Sequence, residues 1–207
     1  MKGKLLTLEG CEGSGKSTQT KLLTEWLENN KIDFIFAREP GGTAISEAVR
    51  GIILDKSYSE MSAECEALLY ASSRAQLLKQ VVIPALNGGK MVILDRYIDS
   101  SLAYQAFARG LGLDFVTKIN AFAVENAMPD LTIFLDVKPE DSFRRKGGAD
   151  KNDRLELAGL EFHNRVYDGY KQLEKLYPNR FKSVDVSGEI MQTHSAIIKI
   201  MRDNRVI

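Results

Sequence analysis

The chain has 207 residues, 44% hydrophobic and 27% charged, proportions that suit a globular protein with enough chain for one domain and a sizeable core. Its 28 Lys and Arg balance its 28 Asp and Glu, so it lacks the basic excess of a duplex-DNA or membrane-surface binder, and neither nucleic acid nor membrane is an expected partner. Two cysteines, Cys11 and Cys65, with no Cys-x-x-Cys spacing, argue against a disulfide framework or a zinc site.

From the amino end, Leu5-Leu6-Thr7-Leu8 reads as a buried strand, in an apolar run that ends at Glu9. That run is too short for a secretory signal or a span, and no later run reaches the ~18 apolar residues a span needs; the cytoplasm is the expected compartment. A helix begins at Lys16, with Leu22, Leu23, Trp26 and Leu27 on one face. Phe34-Ile35-Phe36 is a second strand, and Ile45, Val49, Ile52 and Ile53 mark a short helix. Glu60 to Pro84 reads as one long helix with Leu69, Leu77 and Val81 among its apolar positions. Met91–Leu94 is the third strand, Leu131–Leu135 the fourth and Phe181–Val186 the fifth. Helices fill the intervals, including one from about Leu155 to Tyr177 and a last one from about Ile190 to Arg202. Near-continuous apolar strands alternating with helices imply an α/β fold, a five-stranded parallel sheet covered on both faces. In such a sheet ligands bind beyond the carboxyl ends of the strands.

Gly10-Cys11-Glu12-Gly13-Ser14-Gly15-Lys16-Ser17 fits G-x-x-x-x-G-K-[ST], between a strand and a helix. Glycines let the backbone wrap close to phosphate oxygens, and the helix that follows offers them its positive end. Lys16 is expected to reach the β- and γ-phosphates and the Ser17 hydroxyl to ligate Mg²⁺, with Thr18 completing the ATP-binding stretch. Asp95, ending the third strand, reads either as a second metal anchor, direct or through water, or as a turn residue; the loop favours the metal role. Asn30-Lys31-Ile32-Asp33 imitates a guanine-reading motif, but it falls between the first helix and second strand, at the amino edge of the sheet, and reads as a turn.

The stretch Asp95-Arg96-Tyr97-Ile98-Asp99-Ser100-Ser101-Leu102-Ala103-Tyr104-Gln105 resembles the signature of thymidylate kinases. Glu12, Arg38-Glu39-Pro40-Gly41-Gly42, Tyr70 with Arg74, and Asp153-Arg154-Leu155-Glu156 agree in order, so the resemblance covers nearly the whole chain. It points to the bacterial branch without an arginine in the phosphate loop. The resemblance implies a P-loop NTPase fold, a homodimer, and transfer of the ATP γ-phosphoryl group to dTMP. It assigns the acceptor phosphate to Arg50 and Arg96 with Arg38 nearby, a role that suits the planar, permanently charged guanidinium. By the same resemblance Tyr70 stacks on thymine, Arg74 bonds its carbonyl edge, and Ser101 and Gln105, beside Ser100, complete the base contacts. Tyr104 lies beside the sugar and Glu12 accepts from its 3′-hydroxyl. Tyr70 and Arg74, like Ser101 and Gln105, are four apart and so share a helix face.

Residues 142–154, basic and glycine-containing, suit a lid. With no arginine in the phosphate loop, the lid is expected to bring cationic charge to the moving phosphoryl group, from Arg144 and Arg154 by family position. Some relatives place a further arginine where this chain has Gly-Gly-Ala-Asp, so the division of labour among Arg144, Arg145 and Arg154, including adenine stacking, stays open. No general base is expected, because a phosphate monoester with a second pKa near ~6 is largely ionised at neutral pH. His163 and His194 read as solvated or structural, and Cys11 as space-filling rather than reactive. Two other classes remain: a nucleoside kinase with Glu39 as base, and a phosphate-loop ATPase that drives a partner.

Overall fold

The computed structural model describes residues 2–146 and 154–207. Five strands among them, β1 (Leu5–Glu9), β2 (Phe34–Arg38), β3 (Met91–Asp95), β4 (Leu131–Asp136) and β5 (Phe181–Asp185), form one sheet in the order β2-β3-β1-β4-β5. All four pairings are parallel, and Leu8 stands opposite Asp95 while Glu9 stands opposite Phe134. β1 therefore lies at the centre, where the chain switches sides, and its carboxyl end opens into the crevice expected to hold a ligand.

Strand alternation sorts the core into two layers. Leu5, Val92, Leu94, Phe134 and Phe181 face one layer, and Leu6, Leu8, Ile93, Ile133 and Leu135 face the other. The second layer is closed by Leu23 and Leu27 of α1 (Lys16–Asn29) and by Ile197 and Met201 of α9 (Ile190–Asp203). The first is closed by α3 (Ala63–Leu77), by a π-helical turn at Leu78–Val82 leading into α4 (Ile83–Asn87), and by α8 (Gly159–Leu176). α5 (Ile98–Ser101) runs into a second π-helical segment, Leu102–Ala108, and α6 (Leu113–Val124) follows. α2 (Ala44–Leu54) lies along α3, and α7 (Pro139–Lys146) follows β4.

Several elements differ from the sequence reading. The long helix starts at Ala63, where the Ser62 hydroxyl caps it by accepting from Cys65 N, and the helical path continues past Pro84 to Asn87. The π turn just before Pro84 absorbs the break that a residue without an N–H makes in an α-helical ladder. The late helix begins at Gly159, after a short 3₁₀ turn at Glu156–Ala158. In α2 only Ile53 of the expected apolar face is fully buried; Ile45 and Ile52 are exposed. The first five lid residues are not a loop but the end of α7, and 147–153 lie outside the described residues. Lys31, in the imitation guanine motif, sits in a left-handed turn before β2, at the amino edge as expected.

Candidate active site

The loop from Gly10 to Ser17 joins β1 to α1. At Gly10 a Cβ would come within 2.6 Å of the Ser14 hydroxyl, and at Gly15 the backbone is left-handed, φ 92°. Gly15 caps α1 with no side chain across it, so the first N–H groups of the helix stay available to an anion. Lys16 Nζ donates to the carbonyls of Gly10 at 3.0 Å and Cys11 at 3.1 Å. Enclosure by the loop, with Arg96 adding its charge, lowers the Lys16 pKa to about 8. Cys11 points into the core, and burial pushes its thiol up to about 11, which makes it a packing residue. Asp95 Oδ1 is buried without a hydrogen-bond partner among the described residues, and Asp95 lines the same cleft as Ser17. A carboxylate oxygen and a hydroxyl oxygen on one cleft wall are hard donors that fit Mg²⁺.

Arg96 follows β3 with φ 66°, a left-handed conformation that non-glycine residues adopt at a cost. Its Nη1 approaches Ser100 Oγ at 3.3 Å and Tyr170 Oη at 3.4 Å, and its Cζ lies 5.3 Å from the Tyr104 ring centre. Burial works against the guanidinium, but Tyr104, Tyr170, Asp95 and Glu9 outweigh it, so Arg96 stays charged. Glu9 was not singled out from the sequence. It ends β1 with no exposed surface, and burial and Asp99 raise its pKa to about 7. The available signal was an acid closing an apolar strand, on the strand face shared by Leu5 and Thr7.

A second cleft is lined by Glu12, Arg50, Tyr70, Arg74, Arg96, Ser100, Ser101, Tyr104 and Gln105. Each of these was singled out from the sequence for the acceptor. Arg38 lies instead on the phosphate-loop cleft, paired with Glu47 at 2.9 Å. Arg50 Nη1 donates to the Pro40 carbonyl at 3.0 Å. Arg74 is 1% exposed, and four of its N–H groups donate to protein acceptors, Nε to Glu39, Nη1 to Ser101 and Asn120, and Nη2 to the Tyr97 carbonyl, with Nη2 also ion-paired to Glu39. Gln105 sits in the π-helical segment, so its relation to Ser101 is not that of an α-helical pair; both nevertheless reach the cleft. Its Nε2 donates to Glu66 Oε1 at 2.9 Å. His163, expected to be solvated or structural, is 2% exposed and lines this cleft, edge-on to Phe143; His194 is buried as well.

Glu12, Glu39, Arg50 and Arg96 line both clefts, so the phosphate loop and the acceptor residues open onto a common junction. The lid arginines are not brought to it. Arg144 is largely exposed and pairs with Asp141 at 3.2 Å. Arg154 is buried, with Nη2 2.5 Å from Glu66 Oε2 and Nε donating to the Ile53 carbonyl. Burial works against the Glu66 carboxylate, but Arg109, Gln105 and Arg154 outweigh it and hold its pKa below the usual range. α7 is tied to the phosphate loop by the buried Ser142 hydroxyl, which donates to the Glu12 carbonyl.

Comparison with known proteins agrees over nearly the whole chain. The family model described as thymidylate kinase matches residues 8–197. The thymidylate kinase of Clostridium novyi is 50% identical over 188 residues, 90% of this chain and 92% of that one. The thymidylate kinase of Caldanaerobacter subterraneus is 45% identical over 203 residues, 98% of this chain and 97% of its own. Among solved structures, thymidylate kinase from Ehrlichia chaffeensis superimposes with a TM-score of 0.79 at 29% identity, covering 98% of this chain and 99% of the other.

Proposed function

The chain belongs to the thymidylate kinase family, and from that membership we propose that it transfers the γ-phosphoryl group of ATP to dTMP, giving ADP and dTDP on the route to dTTP. The observation that carries this reading is the junction of the two clefts at Arg96 and Arg50. A donor phosphate held at Lys16 and an acceptor phosphate held by these arginines would meet there, which is the positioning phosphoryl transfer requires.

The first N–H groups of α1 and Lys16 hold the ATP phosphates, with Thr18 at the same cleft wall. Ser17 and Asp95 would hold Mg²⁺, which when bound neutralises charge on the phosphates. Arg96, Arg50 and Arg38 receive the acceptor phosphate, whose ionised oxygen attacks in line without a general base. Tyr70 stacks on thymine. Gln105 gives one amide N–H to Glu66, which orients its carbonyl oxygen for a donor such as thymine N3–H. Arg74, which also holds Ser101 and Glu39 in the cleft wall, bonds the carbonyl edge of the base. Tyr104 bounds the sugar and Glu12 accepts from its 3′-hydroxyl. Arg144 and Arg154 are assigned to the moving phosphoryl group, which Arg154 reaches only by leaving Glu66. We place the reaction in the cytoplasm, in a homodimer; no helix among the described residues is long and apolar enough to cross a membrane.

A coupled assay for ADP with ATP, Mg²⁺ and a panel of dTMP, dUMP, dCMP, dGMP, AMP, CMP, UMP and thymidine tests this reading. dTMP far ahead, with a diphosphate product, is the expected result; another acceptor in the lead overturns the acceptor assignment. Thymidine tests the rival with an observation behind it. Glu39 Oε1 is buried without a hydrogen-bond partner among the described residues, and burial raises its pKa, as a base for a neutral hydroxyl would need.

A further inference from the structure

Arg96 is held in an unfavourable backbone conformation, and something must over-determine it. Both peptide units that flank its Cα are tied to the end of β1. Arg96 N donates to the Leu8 carbonyl at 3.0 Å, and Tyr97 N donates to Glu9 Oε1 at 2.8 Å. The other carboxylate oxygen, Glu9 Oε2, accepts from Ser100 Oγ at 2.6 Å and from Tyr170 Oη at 2.8 Å. These are the same two hydroxyls that the Arg96 guanidinium approaches. A hydroxyl has a single proton to give. Ser100 Oγ and Tyr170 Oη also lie 3.0 Å apart, but a carboxylate is the stronger acceptor, and with both protons given to Glu9 the two hydroxyls face Arg96 as acceptors only. An ion without exposed surface is expensive to bury in an apolar strand end unless its bonds are used.

We propose that Glu9, acting through Tyr97, Ser100 and Tyr170, is the positioning residue of Arg96, fixing both its left-handed backbone and the aim of its guanidinium. Glu9 lines neither cleft and reaches the site only through the residues it bonds. The inference rests on the reading of Arg96 as a phosphate-binding residue of a dTMP kinase.

The test is a double-mutant comparison of Tyr170→Phe in the wild-type and Arg96→Lys backgrounds. Tyr170→Phe removes the hydroxyl and leaves the ring stacked on Phe134, 4.8 Å between centres. In the wild-type background kcat should fall roughly ten- to a hundredfold, as small misplacements of catalytic groups cost, with KM for ATP little changed. In the Arg96→Lys background, which has no guanidinium fork to aim, the same change should cost under about twofold. Equal losses in both backgrounds, or an unchanged kcat in the first, overturn the proposal. If Tyr170→Phe does not fold, Glu9→Gln carries the same comparison. A wild-type enzyme inactive on dTMP would sink the function itself, whereas an active wild type with indifferent variants sinks only the role of Glu9.

Discussion

Arg74 Nη2 lies 2.6 Å from Glu39 Oε2, and the two side chains are 1% and 3% exposed. The pair joins α3 to the segment after β2 and builds one wall of the cleft proposed for the acceptor. Removing one member of a buried pair leaves an uncompensated charge, at a cost of roughly 3–5 kcal/mol. Arg74→Met should lose about that much in urea unfolding at pH 8. It should lose less at pH 5, because Glu39, already raised by burial, can then take up a proton. A variant within about 1 kcal/mol of wild type at both pH values would show that the pair is not what holds this wall.

Arg96 combines a proposed function with a left-handed backbone, and the two separate by substitution. Arg96→Ala and Arg96→Gly should both lose kcat by orders of magnitude in the dTMP assay while remaining folded. The glycine variant should be the more stable by about 1 kcal/mol, since glycine adopts φ 66° without a Cβ clash. A near-normal kcat in either variant removes Arg96 from the chemistry.

The lowered pKa of Lys16 gives ATP binding a pH dependence with a definite sign. With a pKa of about 8 in the free protein, Lys16 loses its charge as the pH rises through that value. A polyphosphate favours the charged form, so binding raises the pKa and protons are taken up near and above pH 8. Titration calorimetry in buffers of different ionisation enthalpy should record proton uptake at pH 8.5 and little at pH 6.5, with affinity falling between pH 7 and 9. Proton release at pH 8.5 would contradict the assignment.

Glu9 should cost the fold stability at the pH where the enzyme works. Its pKa is about 7 in the fold against an ordinary 4.5, so below 4.5 both states are protonated and its contribution is fully present. Between 4.5 and 7 the unfolded chain sheds its proton first, and up to about 3 kcal/mol is lost as the pH rises. Glu9→Gln cannot titrate, so its stability relative to wild type should increase from pH 5 to pH 8, read by urea unfolding at each pH. Together with reduced activity, this would mark Glu9 as a residue kept for function against stability. A constant difference across that range would mean that Glu9 does not titrate there.

The phosphate loop and the strand order of events along the chain were legible in the sequence because neighbouring residues decide them. Eight consecutive positions, Gly10 to Ser17, carry the glycines, the lysine and the hydroxyl that the phosphate chemistry needs. The strands announce themselves as short apolar runs, and their alternation places Leu5 and Leu6 on opposite layers. The residues proposed for the acceptor came from the family resemblance, and apart from Arg38 they line one cleft. Helix edges were less so: the π turns at Leu78–Val82 and Leu102–Ala108 leave no periodic mark, and Ile45 and Ile52 look like core residues although α2 leaves them exposed.

What the chain could not declare locally is which polar groups would be buried together. Glu9 meets Tyr170 across 161 residues, and Glu66 meets Arg154 across 88. The first contact exists because β1 sits at the centre of the sheet with α8 packed over the face to which Glu9 points; the second exists because the segment entering α8 returns to α3. Backbone propensity and hydrophobic periodicity are properties of a few neighbouring residues. The pairing, protonation and aim of a buried ion depend on every group that packing brings around it, and only the tertiary structure decides those.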